Sequence, residues 1–376
     1  MSLKRYLKKV AKKVLPRKII NNLKPTRYPD HVRKVAVHPE RIAYELSRNW
    51  NLNSSEEKVL FVGLSSDYDD EKRGMAFEYF NFFLALKNMQ EFNAQLFDPY
   101  ECSRKYGKDI CSKTLYELIG IYRPKFVFYF HYVDVVDHEI WKKISSLSGT
   151  STIIWLADDD WRHDETKDLE KNFNLIVTTW SDGVKVRQGT NKNVFLSQWG
   201  CNHFYYKNLH IERDIDVAFI GQLYGTRKEY IDYLIDSGIN VKTYGFGTEG
   251  GRLNQFEMIE IMNRAKIILN FSASSQKRTK QIKGRIFEAA GCGAMVLSDY
   301  VDGIEKYFVP DKEITLFKTK EEMKEKILFY LNHEDELIKI SHAGEQRILK
   351  DHTIYKRLSE IFDYVSKVKF SNERKA

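Results

Sequence analysis

Residues 215–227 read IDVAFIGQLYGTR, and this stretch decides the fold. The apolar run Ile215–Ile220 has the length and the β-branched and aromatic content of a buried strand. A turn containing Gly221 and Gly225 follows it, and Arg227 lies in the first turn of the helix that comes next. In such a unit the backbone N–H groups and the dipole at the start of the helix favour an anion.

The same alternation of short apolar runs and amphipathic segments extends over most of the chain. It predicts strands at Val59–Leu64, Ala94–Phe97, Phe126–Phe130, Thr152–Ala157, Leu175–Thr178, Ile215–Ile220, Asn240–Tyr244, Ile267–Phe271, Ala294–Leu297 and Ile314–Phe317. Alternating strands and helices form parallel sheets with helices on both faces. The sequence therefore predicts an α/β protein with two doubly wound, Rossmann-like domains that face a cleft.

We place the domain boundaries where this pattern changes. An N-terminal arm covers residues 1–40, a first domain 41–205, a second domain 206–352, and a C-terminal helix 353–376. In open parallel sheets, ligands bind at the carboxyl ends of the strands. Motifs that directly follow strands are therefore the candidates for function.

The composition excludes several classes of protein. The chain has 376 residues, of which 43% are hydrophobic, so it is neither disordered nor collagen-like. No apolar run reaches the roughly 18 to 20 residues of a membrane-spanning helix. The four cysteines form no C-x-x-C pair, and the N-terminus lacks a signal-peptide pattern. We expect a protein of the reducing cytoplasm.

The positive charge is concentrated in the arm. Residues 1–34 contain twelve Lys or Arg residues and one acidic residue, a net charge of +11, so the rest of the chain carries −3 of the total of +8. Within residues 1–24 the apolar side chains repeat every three or four positions, which predicts a basic amphipathic helix. Such a helix favours a peripheral position on an anionic membrane surface at the inner face of the cell membrane. Docking on the protein's own body is the alternative, and we expect no nucleic-acid partner because the body is not basic.

A second motif, KRTKQIKGRIFEAAGCGA at residues 277–294, combines a basic loop with a short helix. Lys283, Arg285 and the N-terminus of this helix are expected to converge on a diphosphate. Glu288 lies one turn further along, where it can accept hydrogen bonds from ribose hydroxyls. The alternative is a solvated basic loop before an ordinary helix.

These motifs, with the segments AKIILNFS at residues 265–272 and KGRIFEAAGCGA at residues 283–294, resemble one family. The second half looks like that of the CgeB-like glycosyltransferases, the spore maturation protein type, within the GT-B superfamily. The resemblance implies a nucleotide-sugar donor, with Glu288 on the ribose, Lys283 and Arg285 on the pyrophosphate, and Gly221 and Arg227 near the phosphates. It also implies that the first domain selects the acceptor and that the C-terminal helix returns to that domain.

One position departs from the pattern. Retaining GT-B enzymes often carry a second Glu eight residues before the ribose Glu, and Lys280 stands there in this chain. The resemblance therefore does not specify the sugar or the stereochemical outcome.

The first half supplies the candidate catalytic residues. His131 follows the predicted strand Phe126–Phe130, and Asp158 and Asp159 follow the strand Thr152–Ala157. A carboxylate at this edge could act as general base on an acceptor hydroxyl, and His131 could share the proton. The alternatives are a solvated turn with a helix cap for the aspartates and a hydrogen-bonded strand-end residue for His131.

The combined prediction is a glycosyltransferase that moves a sugar from a nucleotide diphosphate sugar, a UDP or GDP sugar, to a glycan or lipid-linked acceptor. No cofactor or metal is expected. The Asp158-x-Asp160 pattern leaves open a metal-dependent enzyme. A non-enzymatic surface or assembly protein on the same scaffold, or an enzyme of nucleotide-sugar metabolism such as an epimerase, are further alternatives.

Overall fold

The computed structural model describes residues 38–189, 193–274 and 279–368. The amphipathic helix predicted within residues 1–24, and nearly all of the predicted arm, lie outside these ranges. So do residues 277 and 278 of the basic loop. Among the described residues, no helix is long and apolar enough to cross a membrane.

The first half forms a six-stranded parallel sheet in the order β2-β1-β3-β4-β5-β6. Its strands are β1 (Glu57–Val62), β2 (Phe92–Phe97), β3 (Phe126–His131), β4 (Ser151–Leu156), β5 (Leu175–Thr178) and β6 (Val194–Leu196). The strands β3 and β5 are buried along their whole length because helices cover both faces of the sheet.

Within residues 38–189, seven α-helices accompany this sheet. They are α1 (Pro39–Ser47), α2 (Leu84–Asn88), α3 (Pro99–Tyr106), α4 (Lys108–Tyr122), α5 (His138–Ser145), α6 (Asp159–Glu170) and α7 (Ser181–Gln188). A π-helical segment, Tyr79–Phe83, leads directly into α2. Two short 3₁₀ turns, Asp67–Asp69 and Glu71–Arg73, lie in the loop after β1.

The second half repeats the design with a five-stranded parallel sheet in the order β11-β10-β9-β7-β8. Its strands are β7 (Ile215–Ile220), β8 (Val241–Tyr244), β9 (Ala265–Asn270), β10 (Met295–Asp299) and β11 (Thr315–Phe317). The helices are α8 (Thr226–Asp236), α9 (Gln255–Arg264), α10 (Gly284–Gly291), α11 (Lys320–Asn332), α12 (Glu334–Asp351) and α13 (Ile354–Lys367). Two parallel, Rossmann-like sheets confirm the predicted fold class.

The last helix, α13, packs on the sheet of the first half. The ring of Phe362 stacks on that of Phe126 with centroids 4.6 Å apart, and Leu358 and Ile361 are buried in the same core. The chain thus passes twice from one sheet to the other, and the two crossing segments are joined by backbone hydrogen bonds. Cys201 N–H donates to the carbonyl of His352 at 2.9 Å, and Ile354 N–H donates to the carbonyl of Cys201 at 2.8 Å.

Candidate active site

Two adjoining cavities lie at the carboxyl ends of β7, β8 and β9. Cavity 1, of about 320 Å³, is lined by Gly221, Gln222, Tyr224, Arg227, Lys283 and Tyr68, among others. Cavity 2, of about 210 Å³, is lined by Asn81, Tyr206, Gly245, Gln255, Arg285 and Glu288, among others. Gly221 and Arg285 line both cavities, so a single elongated ligand can occupy the two.

Glycines bring the ends of β7 and β8 together beneath the cavities. Gly221 N–H donates to the carbonyl oxygen of Tyr244 at 2.8 Å. Gly245 has a φ of 138°, and a Cβ atom at this position would overlap the carbonyl oxygen of Gly221. This close approach requires glycine and leaves the backbone open to a ligand.

Arg227, in the first turn of α8, holds the loops around cavity 1. Its guanidinium donates to the carbonyl oxygens of Gln222 at 3.2 Å, Phe271 at 3.2 Å and Ala273 at 2.8 Å. It also lies over the ring of Tyr224, 4.0 Å from the centroid. Burial lowers the pKa of Arg227, which still leaves it charged because arginine titrates far above neutral pH. Much of its hydrogen-bonding capacity is used by the protein itself.

Lys283 precedes α10 and lines cavity 1. Its ammonium donates to Gln281 Oε1 at 2.6 Å. Burial lowers the pKa of Lys283, and the carboxylate of Asp158 opposes this shift. The side chain of Lys283, the N-cap residue, makes no capping hydrogen bond to α10, so the first N–H groups of the helix and Lys283 lie together at a helix end that favours an anion.

Arg285 and Glu288 form an ion pair on the first turns of α10, with Nη1 and Oε2 2.6 Å apart. Glu288 is only 1% exposed. Its second carboxylate oxygen, Oε1, accepts from Asn81 Nδ2 at 3.2 Å. The two partners therefore fix the orientation of the carboxylate in the wall of cavity 2.

The acidic turn after β4 separates its three aspartates. Asp158 is partly exposed and has a left-handed backbone with φ 54°. It lies close enough to Lys283, Tyr68 and Tyr224 to influence their pKa values, although burial contributes most to each shift. Asp160 accepts a hydrogen bond from Gln281, the residue that also binds Lys283.

Asp159 is directed into the protein interior, in contrast to the expectation that it faces the cleft. It pairs with Arg187 at 3.2 Å and accepts a hydrogen bond from Thr178. Burial raises the pKa of Asp159 to about 6 in spite of Arg187. The buried ion pair accounts for this orientation, and Asp159 lines neither cavity.

His131 is also buried, at 4% exposure, and lines neither cavity. Its ring packs edge-on against Tyr129 with centroids 5.6 Å apart. Burial, and then the charge of Arg162, lower the pKa of His131 to about 3. The imidazole is therefore neutral at physiological pH. His131 was expected to face the cleft, and the structure instead places it in the interior.

Lys280, at the position eight residues before Glu288, points away from the cavities. Its ammonium donates to the carbonyl oxygen of Tyr300 at 2.8 Å and pairs with Asp299 at 3.3 Å. It lines neither cavity.

Sequence reasoning missed Tyr68 and Asn81. Tyr68 follows β1, has a φ of 54°, and reaches the wall of cavity 1. The guanidinium of Arg73 lies 4.6 Å from the centroid of its ring. Asn81 had one signal, since it is the single amide in the aromatic run YFNFF at residues 79–83.

Polar contacts between described residues join the first half of the chain to the second around the cavities. They are Asp67 with Arg252, the Met75 carbonyl with Gln255, Asn81 with Glu288, and Asp160 with Gln281. The cavities are therefore enclosed by both halves. Within the described residues, no group of three or more His, Cys, Asp or Glu side chains is arranged to hold a metal ion.

Comparison with known proteins agrees with this architecture. Residues 214–363 match a family model described as glycosyl transferase-like. The structure superposes on a glycosyltransferase from Rickettsia africae with a TM-score of 0.56 at 11% identity, covering 84% of this chain and 100% of that one. The fold is that of the GT-B glycosyltransferases.

Two further GT-B structures show the same likeness. HepE of Anabaena, in complex with UDP-glucose, has a TM-score of 0.57 at 10% identity and covers 83% of this chain and 100% of its own. A sucrose-phosphate synthase from Thermosynechococcus elongatus has a TM-score of 0.56 at 9% identity, covering 83% and 99%. The sequence has no match among curated proteins. The comparisons support the GT-B fold, and they give no support to the CgeB-like subtype in particular.

Proposed function

We propose that this chain is a glycosyltransferase that transfers a sugar from a nucleotide diphosphate sugar, a UDP or GDP sugar, to a glycan or lipid-linked acceptor. The observation that carries the proposal is the convergence of Gly221, Lys283, Arg285 and Glu288 on two adjoining cavities. Cavity 1 has a volume typical of small-molecule sites, which range from roughly 300 to 1,000 Å³.

The charges around the cavities support an assignment of residues to the parts of the donor. The buried carboxylate of Glu288 in cavity 2 suits the hydroxyls of a ribose, because an ionised carboxylate only accepts hydrogen bonds. Lys283 and the N-terminus of α10 suit the diphosphate in cavity 1. HepE was crystallised with UDP-glucose, which agrees with a donor of this class.

In the transfer step the bond from the sugar C1 to the diphosphate oxygen breaks, and a bond from C1 to the acceptor oxygen forms. The nucleoside diphosphate leaves with the electron pair, and Lys283 neutralises the charge that develops on it. The acceptor hydroxyl loses its proton. Asp158, like Asp159, lines neither cavity, but we propose it as the general base because it is partly exposed and acts on Lys283 in the wall of cavity 1, whereas Asp159 is paired in the interior. His131 has no assigned role in this scheme.

The test of the function is a binding and turnover assay on the full chain. UDP, GDP and their glucose, N-acetylglucosamine and mannose derivatives are titrated by calorimetry into the wild type and Glu288→Gln. We expect one base to bind and Glu288→Gln to weaken it, while Glu325→Gln, an exposed acid on α11, leaves binding unchanged. Wild-type protein that binds none of these nucleotides overturns the proposal, and binding without sugar transfer or hydrolysis favours a non-enzymatic scaffold.

Metal independence is a separate proposal. The competing Asp-x-Asp mechanism requires Asp158 and Asp160 to share a divalent ion, whereas Asp160 accepts from Gln281 in this structure. Activity retained in excess EDTA supports the metal-free mechanism. Activity lost in EDTA and restored by manganese contradicts it.

The proposal of a lipid-linked acceptor is based on the basic N-terminal arm. We propose that residues 1–24 hold the enzyme at an anionic membrane surface, on the cytoplasmic side, where lipid-linked acceptors lie. Flotation with phosphatidylglycerol vesicles tests this against a chain that begins at residue 25. Equal flotation of both chains contradicts the proposal.

A further inference from the structure

The helix after β1 contains a π-helical segment, Tyr79–Phe83, in which Leu84 N–H donates to the carbonyl oxygen of Tyr79, five residues earlier. Asn202 Nδ2 supports the segment from outside by donating to the carbonyl oxygen of Phe80 at 2.6 Å. Segments of this kind occur mainly as single turns, frequently at functional sites, because the wider turn redirects side chains.

The π-helical segment lies between the two halves of the molecule. Phe82 packs in the core of the first sheet, with its ring 4.8 Å from that of Trp155. Phe80 packs on the other side in the core of the second sheet, 5.6 Å from Tyr206. Asn81 lies between these two phenylalanines and lines cavity 2.

Asn81 is 1% exposed, and its two polar atoms have different surroundings. Nδ2 donates to Glu288 Oε1 at 3.2 Å, and the carboxylate cannot serve as a donor, so this contact fixes which end of the amide faces Glu288. Oδ1 is buried and has no partner among the described residues. An unpaired buried acceptor of this kind is costly and is rarely retained in a folded protein.

A ligand that relieves this acceptor must bring a donor. Glu288 lines the same cavity and its carboxylate contacts the amide of Asn81, so one cavity is bordered by acceptor groups from both halves of the chain. Tyr206, whose hydroxyl is also buried without a partner among the described residues, lines the cavity too. A vicinal diol supplies two neighbouring O–H donors and matches the pair of acceptors.

We infer that Asn81 and Glu288 together bind the ribose diol of the donor nucleotide, one hydroxyl donating to Asn81 Oδ1 and the other to the Glu288 carboxylate. The inference rests on the proposed function and extends it, because it assigns a nucleotide contact to the first domain. Nucleotide binding then depends on the first domain being seated against the second. The π-helical segment is the feature that places the amide at this interface.

The experiment compares UDP and GDP with their 2′-deoxy and 3′-deoxy analogues, titrated by calorimetry into the full chain. The variants are Asn81→Leu, which removes both polar atoms at similar volume, and Asn81→Ala, which is smaller and tests the same loss if the leucine variant does not fold. Asn88→Leu is the matched control, since Asn88 lies exposed on the same helix and donates to the carbonyl of Leu84, away from both cavities.

We expect the wild type to bind the ribonucleotide at least about 10-fold more tightly than either deoxy analogue, as for a site whose polar groups require a substrate hydroxyl. The Asn81 variants lose the preference at one hydroxyl and keep it at the other, and Asn88→Leu keeps both. Asn81→Ala with wild-type preference at both hydroxyls overturns this inference and leaves the proposed function standing. Wild-type protein that binds no nucleotide overturns both.

Discussion

Arg187 Nη1 lies 3.2 Å from Asp159 Oδ2, and the Nε atom of the same arginine lies 3.0 Å from Glu170 Oε2. All three side chains are at most 1% exposed. The arginine thereby joins α7 to both ends of α6. Because Asp158 and Asp160 flank Asp159, the buried pair also sets the position of the acidic turn beside Lys283 and Gln281.

Replacing Arg187 with Met should therefore destabilise the protein strongly. The change keeps an unbranched side chain but removes the guanidinium, and so leaves two buried carboxylates without their cation, a loss of about 3 to 5 kcal/mol. Urea unfolding followed by circular dichroism measures it. Lys185→Met, on the exposed face of the same helix, is the control and should change the free energy of unfolding by less than about 0.5 kcal/mol. Equal effects of the two changes would contradict a structural role for the pair.

The fold was predictable because it is encoded in local patterns. The runs Leu175–Thr178 and Ile215–Ile220, which are apolar except at Thr178 and Asp216, have the observed strand bounds, since a strand buried on both faces reads as a nearly continuous apolar segment. Elsewhere the bounds differ by one to two residues at strand ends. The strand β6 was not predicted; only the first of its three residues is buried, whereas the equally short β11 is buried along its whole length and was predicted.

The site was predictable only in part. Lys283, Arg285 and Glu288 lie close in sequence on one loop and helix, so their convergence follows from local geometry. The contact between Asn81 and Glu288 joins residues 207 positions apart and depends on how the two halves pack. For His131 and Asp159 the position at a strand end was not enough to predict the direction of the side chain. A polar side chain there can also lie in the interior when it has a buried partner or apolar surroundings.

A change at Gly245 should disturb both stability and cavity 2. Ala at this position forces a Cβ atom onto the carbonyl oxygen of Gly221, so the ends of β7 and β8 must separate. Gly247→Ala is the matched control, since it also has a positive φ, 78°, but no atom within 4 Å of the added carbon. The control should lose about 1 to 2 kcal/mol from backbone strain alone. Gly245→Ala should lose more free energy of unfolding than the control, as measured by chemical denaturation, and should also weaken UDP or GDP binding. An equal loss of stability in the two variants would show that the overlap is relieved without cost.

Glu78 should make stability depend on pH. Burial raises the pKa of this carboxyl to about 8 from an ordinary value of 4.5, and Asp67 and Asp98 add to the shift. Between these two values the folded protein holds a proton that the unfolded chain has released, so stability falls as the pH rises from 4.5 to 8. The slope is at most about 1.4 kcal/mol per pH unit for this one group.

Glu78→Gln removes the titration and keeps a neutral side chain of the same shape. Urea unfolding between pH 5 and pH 9 should show the variant gaining stability relative to the wild type as the pH rises. Glu71→Gln, at an exposed position in the preceding loop, should run parallel to the wild type. A constant difference between Glu78→Gln and the wild type across this range would mean that Glu78 is already ionised in the folded protein.

Lys283 should contribute to binding through the diphosphate alone. Its ammonium lies in the wall of cavity 1, within reach of Gln281 and under the influence of Asp158, while Glu288 belongs to cavity 2. Lys283→Ala should therefore weaken the affinity for UDP or GDP by about 10-fold or more, as expected for the loss of a charge-assisted hydrogen bond, and should leave the affinity for the nucleoside unchanged. Calorimetry with the nucleotide and the nucleoside separates the two effects.

Lys280→Ala is the control from the same loop, because the ammonium of Lys280 binds Tyr300 and Asp299 instead. A loss of nucleoside binding equal to that of the nucleotide would show that Lys283 supports the whole site and does not act on the diphosphate.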